Sequence, residues 1–167
     1  MLSLRPMNDA EFQQLVARVV PDYAADKVAV GDWPAADAEQ RAEMEFGRLL
    51  DQGLATPGHH LYTIDHAGDG PVGAIWLAMR PGTTVAFVYD LFIAPTWRRR
   101  GFGRAAMQLL ETTARQLGAS TLALHVFGHN DAAVALYQHL GYRVTDIHMA
   151  KPLTEATFPD PSTRSAP

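Results

Sequence analysis

Residues 98–104 read Arg98-Arg99-Arg100-Gly101-Phe102-Gly103-Arg104. The stretch follows an apolar run from Thr84 to Ile93 that Pro95 closes. It opens a segment of helical period, with Ala106, Leu109, Leu110, Thr113 and Leu117 recurring and Gly118 at its end. A strand, a glycine turn and a helix therefore meet here. Two glycines remove side chains where the backbone bends, so N–H groups can approach a ligand. A helix start adds unpaired N–H groups and the positive end of its dipole. With four arginines around it, the turn reads as an anion site, most naturally for phosphate. The plain alternative is a strand–helix turn with solvated arginines. A dinucleotide fingerprint is a weak match, because the next strand ends Leu124-His125-Val126-Phe127 without a carboxylate for a ribose. A Walker loop fails, because no Gly-Lys-Ser/Thr follows.

Upstream, Leu2 to Arg5 predicts an opening strand. Asn8 and Glu11 have capping-box spacing ahead of a helix carrying Phe12, Leu15, Val16 and Val19, and Pro21 is read as its stop. Asp32-Trp33-Pro34 opens a second helix with an apolar stripe of Ala38, Ala42, Phe46, Leu49 and Leu50. His60 to Asp65, Val72 to Met79 and Thr84 to Ile93 then predict an antiparallel meander joined by short turns. Downstream, Thr121 to Phe127 is a near-continuous apolar strand, read as covered on both faces. Asn130 caps a helix that ends before Gly141, and Tyr142 to Met149 predicts a last strand. The expected fold class is thus α/β: β-α-α-β-β-β-α-β-α-β, a mixed, mostly antiparallel sheet with helices packed on it.

The chain has 167 residues, 47% of them hydrophobic, which suits one core in one domain. The domain is expected over residues 1–153, and residues 154–167, rich in Pro, Ser and Thr, as a flexible tail. A net charge of −4 is a poor match to nucleic acid. The absence of Cys excludes disulfides and thiolate chemistry and suits a reducing compartment. No run approaches the ~20 apolar residues of a membrane span, and the N-terminus carries no secretory signal. The expected location is the cytoplasm, with no membrane partner.

Two motifs carry a family resemblance. Asp90-Leu91-Phe92-Ile93-Ala94-Pro95 followed by Arg98-x-x-Gly101-x-Gly103 resembles the pyrophosphate loop of the GNAT superfamily of acyl-CoA-dependent N-acetyltransferases. Asn130-x-x-Ala133, Leu136-Tyr137 and Gly141-Tyr142 resemble that family's second element. The resemblance implies a sheet splayed in the middle, with helices on both faces and acetyl-CoA as co-substrate in the splay, without metal. It assigns cofactor contacts to Phe92, Ile93, Arg98, Arg99, Arg100, Gly101, Phe102, Gly103, Arg104 and Asn130. Read alone, Asn130 is a helix cap and Tyr137 a packing residue; the resemblance makes Tyr137 the general acid for the leaving thiolate.

The acceptor is then a primary amine of a small molecule or peptide. An alkylamine titrates near ~10.4, so freeing it at pH 7 costs roughly 4.6 kcal/mol. A base offsets part of this. Asp90, His125 and His129 are the candidates; several family branches carry Glu where His125 stands. Trp33, Tyr62, Trp76 and Tyr89 offer acceptor walls or core. An N-terminal protein acetyltransferase and a non-catalytic acyl-CoA sensor are the alternative functions. A homodimer is compatible with either.

Overall fold

The computed structural model describes residues 1–151 and 153. The tail expected over 154–167 lies outside the described residues. Strand β1 (Leu2–Pro6) is followed by helices α1 (Asp9–Ala29) and α2 (Ala38–Leu49), then strands β2 (His59–His66), β3 (Gly70–Met79) and β4 (Val85–Ile93). Helix α3 (Phe102–Gln116), strand β5 (Thr121–Leu124) and helix α4 (Asp131–His139) complete the order. The chain forms two compact units: Met1–Val19 with Phe46–His125, and Val20–Glu45 with the chain from Val126 onward.

The first unit holds the sheet, in order β1-β2-β3-β4-β5. β2, β3 and β4 pair antiparallel through short connections, and β1 pairs antiparallel with β2 although both α1 and α2 lie between them in sequence. β5 pairs with β4 in parallel, which needs a crossover, and α3 supplies it. The core gathers Ile64, Val72, Ile75, Trp76 and Leu77 from the strands and Met107 and Leu110 from α3, all fully buried. The buried face of α3 is Ala106, Met107, Leu110 and Ala114. It is turned slightly from the expected stripe: Leu109 and Thr113 lie at its margin.

Local chemistry fixes the start of α1 as expected. The Asn8 side chain accepts from the Glu11 N–H at 3.0 Å, and the Glu11 carboxylate accepts from the Asn8 N–H at 3.0 Å. Arg5 then ties β1 to this turn and to β2, through Glu11 (2.5 and 2.8 Å) and Asp65 (2.5 Å). Pro21 does not stop the helix; it lies inside it. Proline removes its own bond to the carbonyl four residues back and its ring crowds that carbonyl. Val19, Val20 and Ala24, buried on both sides of it, hold the helix through that gap. The division between the two units falls at this point of α1.

Three further expectations are corrected. The second helix begins at Ala38, with turns rather than helix at residues 35–37. β5 ends at Leu124, short of the expected Phe127, and none of its four residues is buried. The last strand, Tyr142 to Met149, is absent: these residues are in no regular element, and Val144, Ile147 and Met149 are 66%, 72% and 87% exposed. Alternating apolar residues favour extended backbone, but a strand exists only with a ladder partner. The mixed α/β class stands with five strands.

Candidate active site

The parallel pairing of β4 and β5 is short. It runs from Val85 opposite Thr121 to Val88 opposite Leu124, and β4 continues to Ile93 paired with β3 but not with β5. At the point of departure β4 bulges. Trp76 of β3 faces Asp90 and Leu77 faces Val88, so Tyr89 is the extra residue. Beyond the bulge, the Ala94 N–H donates to the Val72 carbonyl at 2.9 Å. Alternation then turns the backbone of Asp90 and Phe92 toward β3 and that of Leu91 and Ile93 toward the side β5 has left. Of the two expected backbone ligands, Ile93 faces this gap. Phe92 instead carries the Arg18 guanidinium 4.2 Å above its ring. Leu91 was not anticipated, because which residues of a strand face outward depends on register. Gly73 was not anticipated either: a Cβ there would collide with the Phe92 carbonyl oxygen, so β3 and β4 need the glycine to close beside the gap.

The loop after β4 makes one 3-10 turn, Pro95–Trp97, and then two left-handed residues, Arg99 (φ 60) and Gly101 (φ 79), on either side of Arg100. Gly101 is the N-cap of α3 and supplies no side-chain cap. Two of the other helices differ directly. α1 is capped by Asn8, and α4 by Asn130, which accepts from the Ala133 N–H at 3.2 Å. The first N–H groups of α3 thus face no capping side chain, behind a left-handed turn that suits anion binding. The arginines divide by role. Arg98 donates from Nε to the Ile93 carbonyl at 3.0 Å, fastening the loop to the end of β4. Arg100 lies 5.0 Å over the Trp97 ring. Arg99 and Arg104 are exposed, while Phe102 and Gly103 are half-buried in the first turn of α3.

Of the catalytic candidates, Asp90 sits on β4 just past the bulge, forked by Arg18 at 2.5 and 3.3 Å. Arg18, 72 residues away in sequence, was not anticipated. His125 is exposed, one residue past the end of β5. Behind the bulge, the fully buried Trp76 donates from Nε1 to His59 Nδ1 at 2.9 Å and stacks on Tyr89 at 4.6 Å. Burial holds His59 below its ordinary pKa, with the neighbouring His60 acting in the same direction. Tyr62 stacks instead on His60, on β2.

Asn130, Tyr137 and His129 belong to the second unit. Asn130 caps α4. Tyr137 lies in its last turns with its ring 5.5 Å from that of Tyr142. His129 pairs through Nε2 with Asp26 at 2.9 Å, and Trp33 meets Tyr23 edge-on. Among the described residues, no three His, Asp or Glu side chains gather to hold a metal ion, and no helix is long and apolar enough to cross a membrane.

The acetyltransferase (GNAT) family model matches residues 23–142. The chain is 35% identical over 154 residues to the uncharacterized N-acetyltransferase YycN of Bacillus subtilis strain 168, covering 91% of this chain and 99% of that one. It is 33% identical to YdgE of the same strain, over 90% and 98% of the two chains. The crystal structure of YycN superimposes with a TM-score of 0.88, over 93% of this chain and all of that one. At 16% identity, AAC(6')-Iy in complex with a CoA-linked bisubstrate analogue shares the fold, with a TM-score of 0.57 over 92% and 99%.

Proposed function

The chain belongs to the GNAT acetyltransferase family and is an acyltransferase, and from that premise we propose that it moves an acetyl group from acetyl-CoA to a primary amine by direct transfer in a ternary complex. The observation that carries this reading is the start of α3, without a side-chain cap, set shortly after the edge of β4 that has no strand partner. An anion suits the first, and an extended amide chain suits the second. The diphosphate of acetyl-CoA takes the N–H groups of the 98–104 turn, and its pantetheine takes the strand-like edge at Leu91 and Ile93. Arg98 shapes the turn through Ile93, leaving Arg99, Arg100 and Arg104 as the outer charges. Asn130 adds a polar contact to its capping role.

In the transfer, the amine nitrogen attacks the thioester carbonyl carbon, the C–S bond breaks, and CoA leaves as its thiolate. His125 takes the proton from the amine, and Tyr137 gives its phenolic proton to the thiolate sulfur. Asp90 has its carboxylate engaged by Arg18, so its part is to hold β4 in place beyond the bulge and not to remove a proton. The test has two readouts. Calorimetry should show acetyl-CoA binding, and thiol release should be steady with at least one member of a panel of alkylamines, polyamines and N-terminal peptides. Tight binding without thiol release from any amine would overturn the transfer step.

A further inference from the structure

We propose that Tyr89 is the specificity-determining platform for the acceptor, and that the acceptor carries its amine on a flat apolar body such as an aromatic ring. The proposal rests on the acetyl-transfer reading and names the class of amine.

Tyr89 is the bulge residue, next to Val88 where β5 leaves β4. Along β4 it directly follows the last residue paired with β5 and precedes Leu91 and Ile93. It is 39% exposed, unusual for a ring in the middle of a sheet strand. Its position is nonetheless fixed. Trp76 stacks against it at 4.6 Å with the planes 21° apart, and Phe87 meets it edge-on at 4.9 Å and 68°. Trp76 itself cannot shift: it is fully buried, Phe46 packs against its ring, and its indole N–H is held by His59. One face of the Tyr89 ring is therefore backed by a rigid indole, the His59 ring lies 5.7 Å from it, and the residue keeps 39% of its surface exposed. A pre-ordered ring needs no ordering on binding, which is the condition under which stacking adds affinity.

The surrounding charge selects against a polycation. Arg80 lies 4.7 Å over Phe87, Arg18 is matched by Asp90, and Asp51 acts electrostatically on His59. These charges cancel. His59 adds none, because its Nδ1 accepts from Trp76 and burial favours the neutral ring. A polyamine would need an excess of carboxylates; a ring needs only a ring.

The experiment compares phenethylamine with spermidine on the wild-type protein and on Tyr89→Ala, Tyr89→Leu and Tyr89→Phe. Binding is read by calorimetry on the CoA-saturated protein, and turnover by thiol release. Thermal unfolding checks that each variant is folded. Phenethylamine should bind at least about tenfold more tightly than spermidine. Tyr89→Ala and Tyr89→Leu should raise its KM about tenfold with kcat little changed, and Tyr89→Phe should restore it. Leucine keeps the bulk without the ring, so it separates stacking from volume. A preference for spermidine, or an unchanged phenethylamine KM in both Tyr89→Ala and Tyr89→Leu, overturns the platform and leaves acetyl transfer standing. Tyr89-dependent binding of phenethylamine with no thiol release would do the reverse.

Discussion

Arg18, on the first half of α1, forks Asp90 on β4 at 2.5 and 3.3 Å while its guanidinium lies 4.2 Å above the ring of Phe92, two residues further along the same strand. One side chain thus grips β4 twice, past the point where β5 has stopped pairing with it. A strand that gives up a ladder partner on one side needs other restraint, and this clamp provides it from the helix. The same pair engages both oxygens of the Asp90 carboxylate, the arrangement behind the positioning role proposed for it.

Arg18→Met should leave a largely buried carboxylate without its partner. Stability should fall by about 1.5–3 kcal/mol, the range for hydrogen bonds to charged groups, as read by urea unfolding. Adding Asp90→Asn to that variant should recover part of the loss, because the uncompensated charge is gone. Full additivity of the two substitutions would show that the pair is not coupled.

Gly101→Val addresses the turn. Gly101 has φ 79, and a Cβ there meets nothing within 4 Å, so the obstacle is backbone conformation and not space. The strain of a branched residue in that region costs about 1–2 kcal/mol. Acetyl-CoA affinity should fall by at least about tenfold as the turn relaxes, with the fold retained by circular dichroism. Unchanged affinity by calorimetry would move the diphosphate elsewhere.

Tyr137→Phe keeps the ring beside Tyr142 and removes only the phenolic proton. A fall in kcat of roughly 10- to 1000-fold, with acetyl-CoA affinity little altered, is expected of a general acid. Wild-type kcat across the pH range would reduce Tyr137 to a packing residue of α4.

Acid stability should report the Arg5 cluster. Hydrogen bonds from Arg5 lower the Glu11 carboxyl from 4.5 to about 2. A depressed carboxyl contributes stability that is complete above pH 4.5 and is lost as pH falls toward 2. Glu11→Gln should therefore be less stable than wild type at pH 7, with the difference shrinking as the pH is lowered through that window. A constant difference in urea midpoint from pH 7 to pH 2.5 would show that the ionised carboxylate is not what Arg5 stabilises.

Much of this molecule is written locally. The Asn8–Glu11 capping box, the Asn130 cap, the meander and the glycine turn ahead of α3 each depend on residues within a few positions of one another, and each stands as read. The corrected expectations share the opposite property. Pro21 by its own backbone favours a helix end, yet apolar burial on either side carries α1 through it. Thr121 to Phe127 and Tyr142 to Met149 have the apolar pattern of strands, yet strand length and strand existence depend on what lies alongside.

The fold class, the glycine turn at residues 98–104 and the family are legible along the chain, because turn chemistry, helix period and motif spacing are properties of neighbouring residues. Packing in three dimensions sets which residue forms the bulge, Tyr89, which residues turn their backbone from β3, Leu91 and Ile93, and that Asp90 pairs with Arg18. Each of these depends on register or on a contact across 72 residues, such as Arg18 with Asp90. A one-residue change in strand register reverses which side chains and which backbone groups point outward, and nothing within a strand's own sequence sets the register it will take against its neighbours.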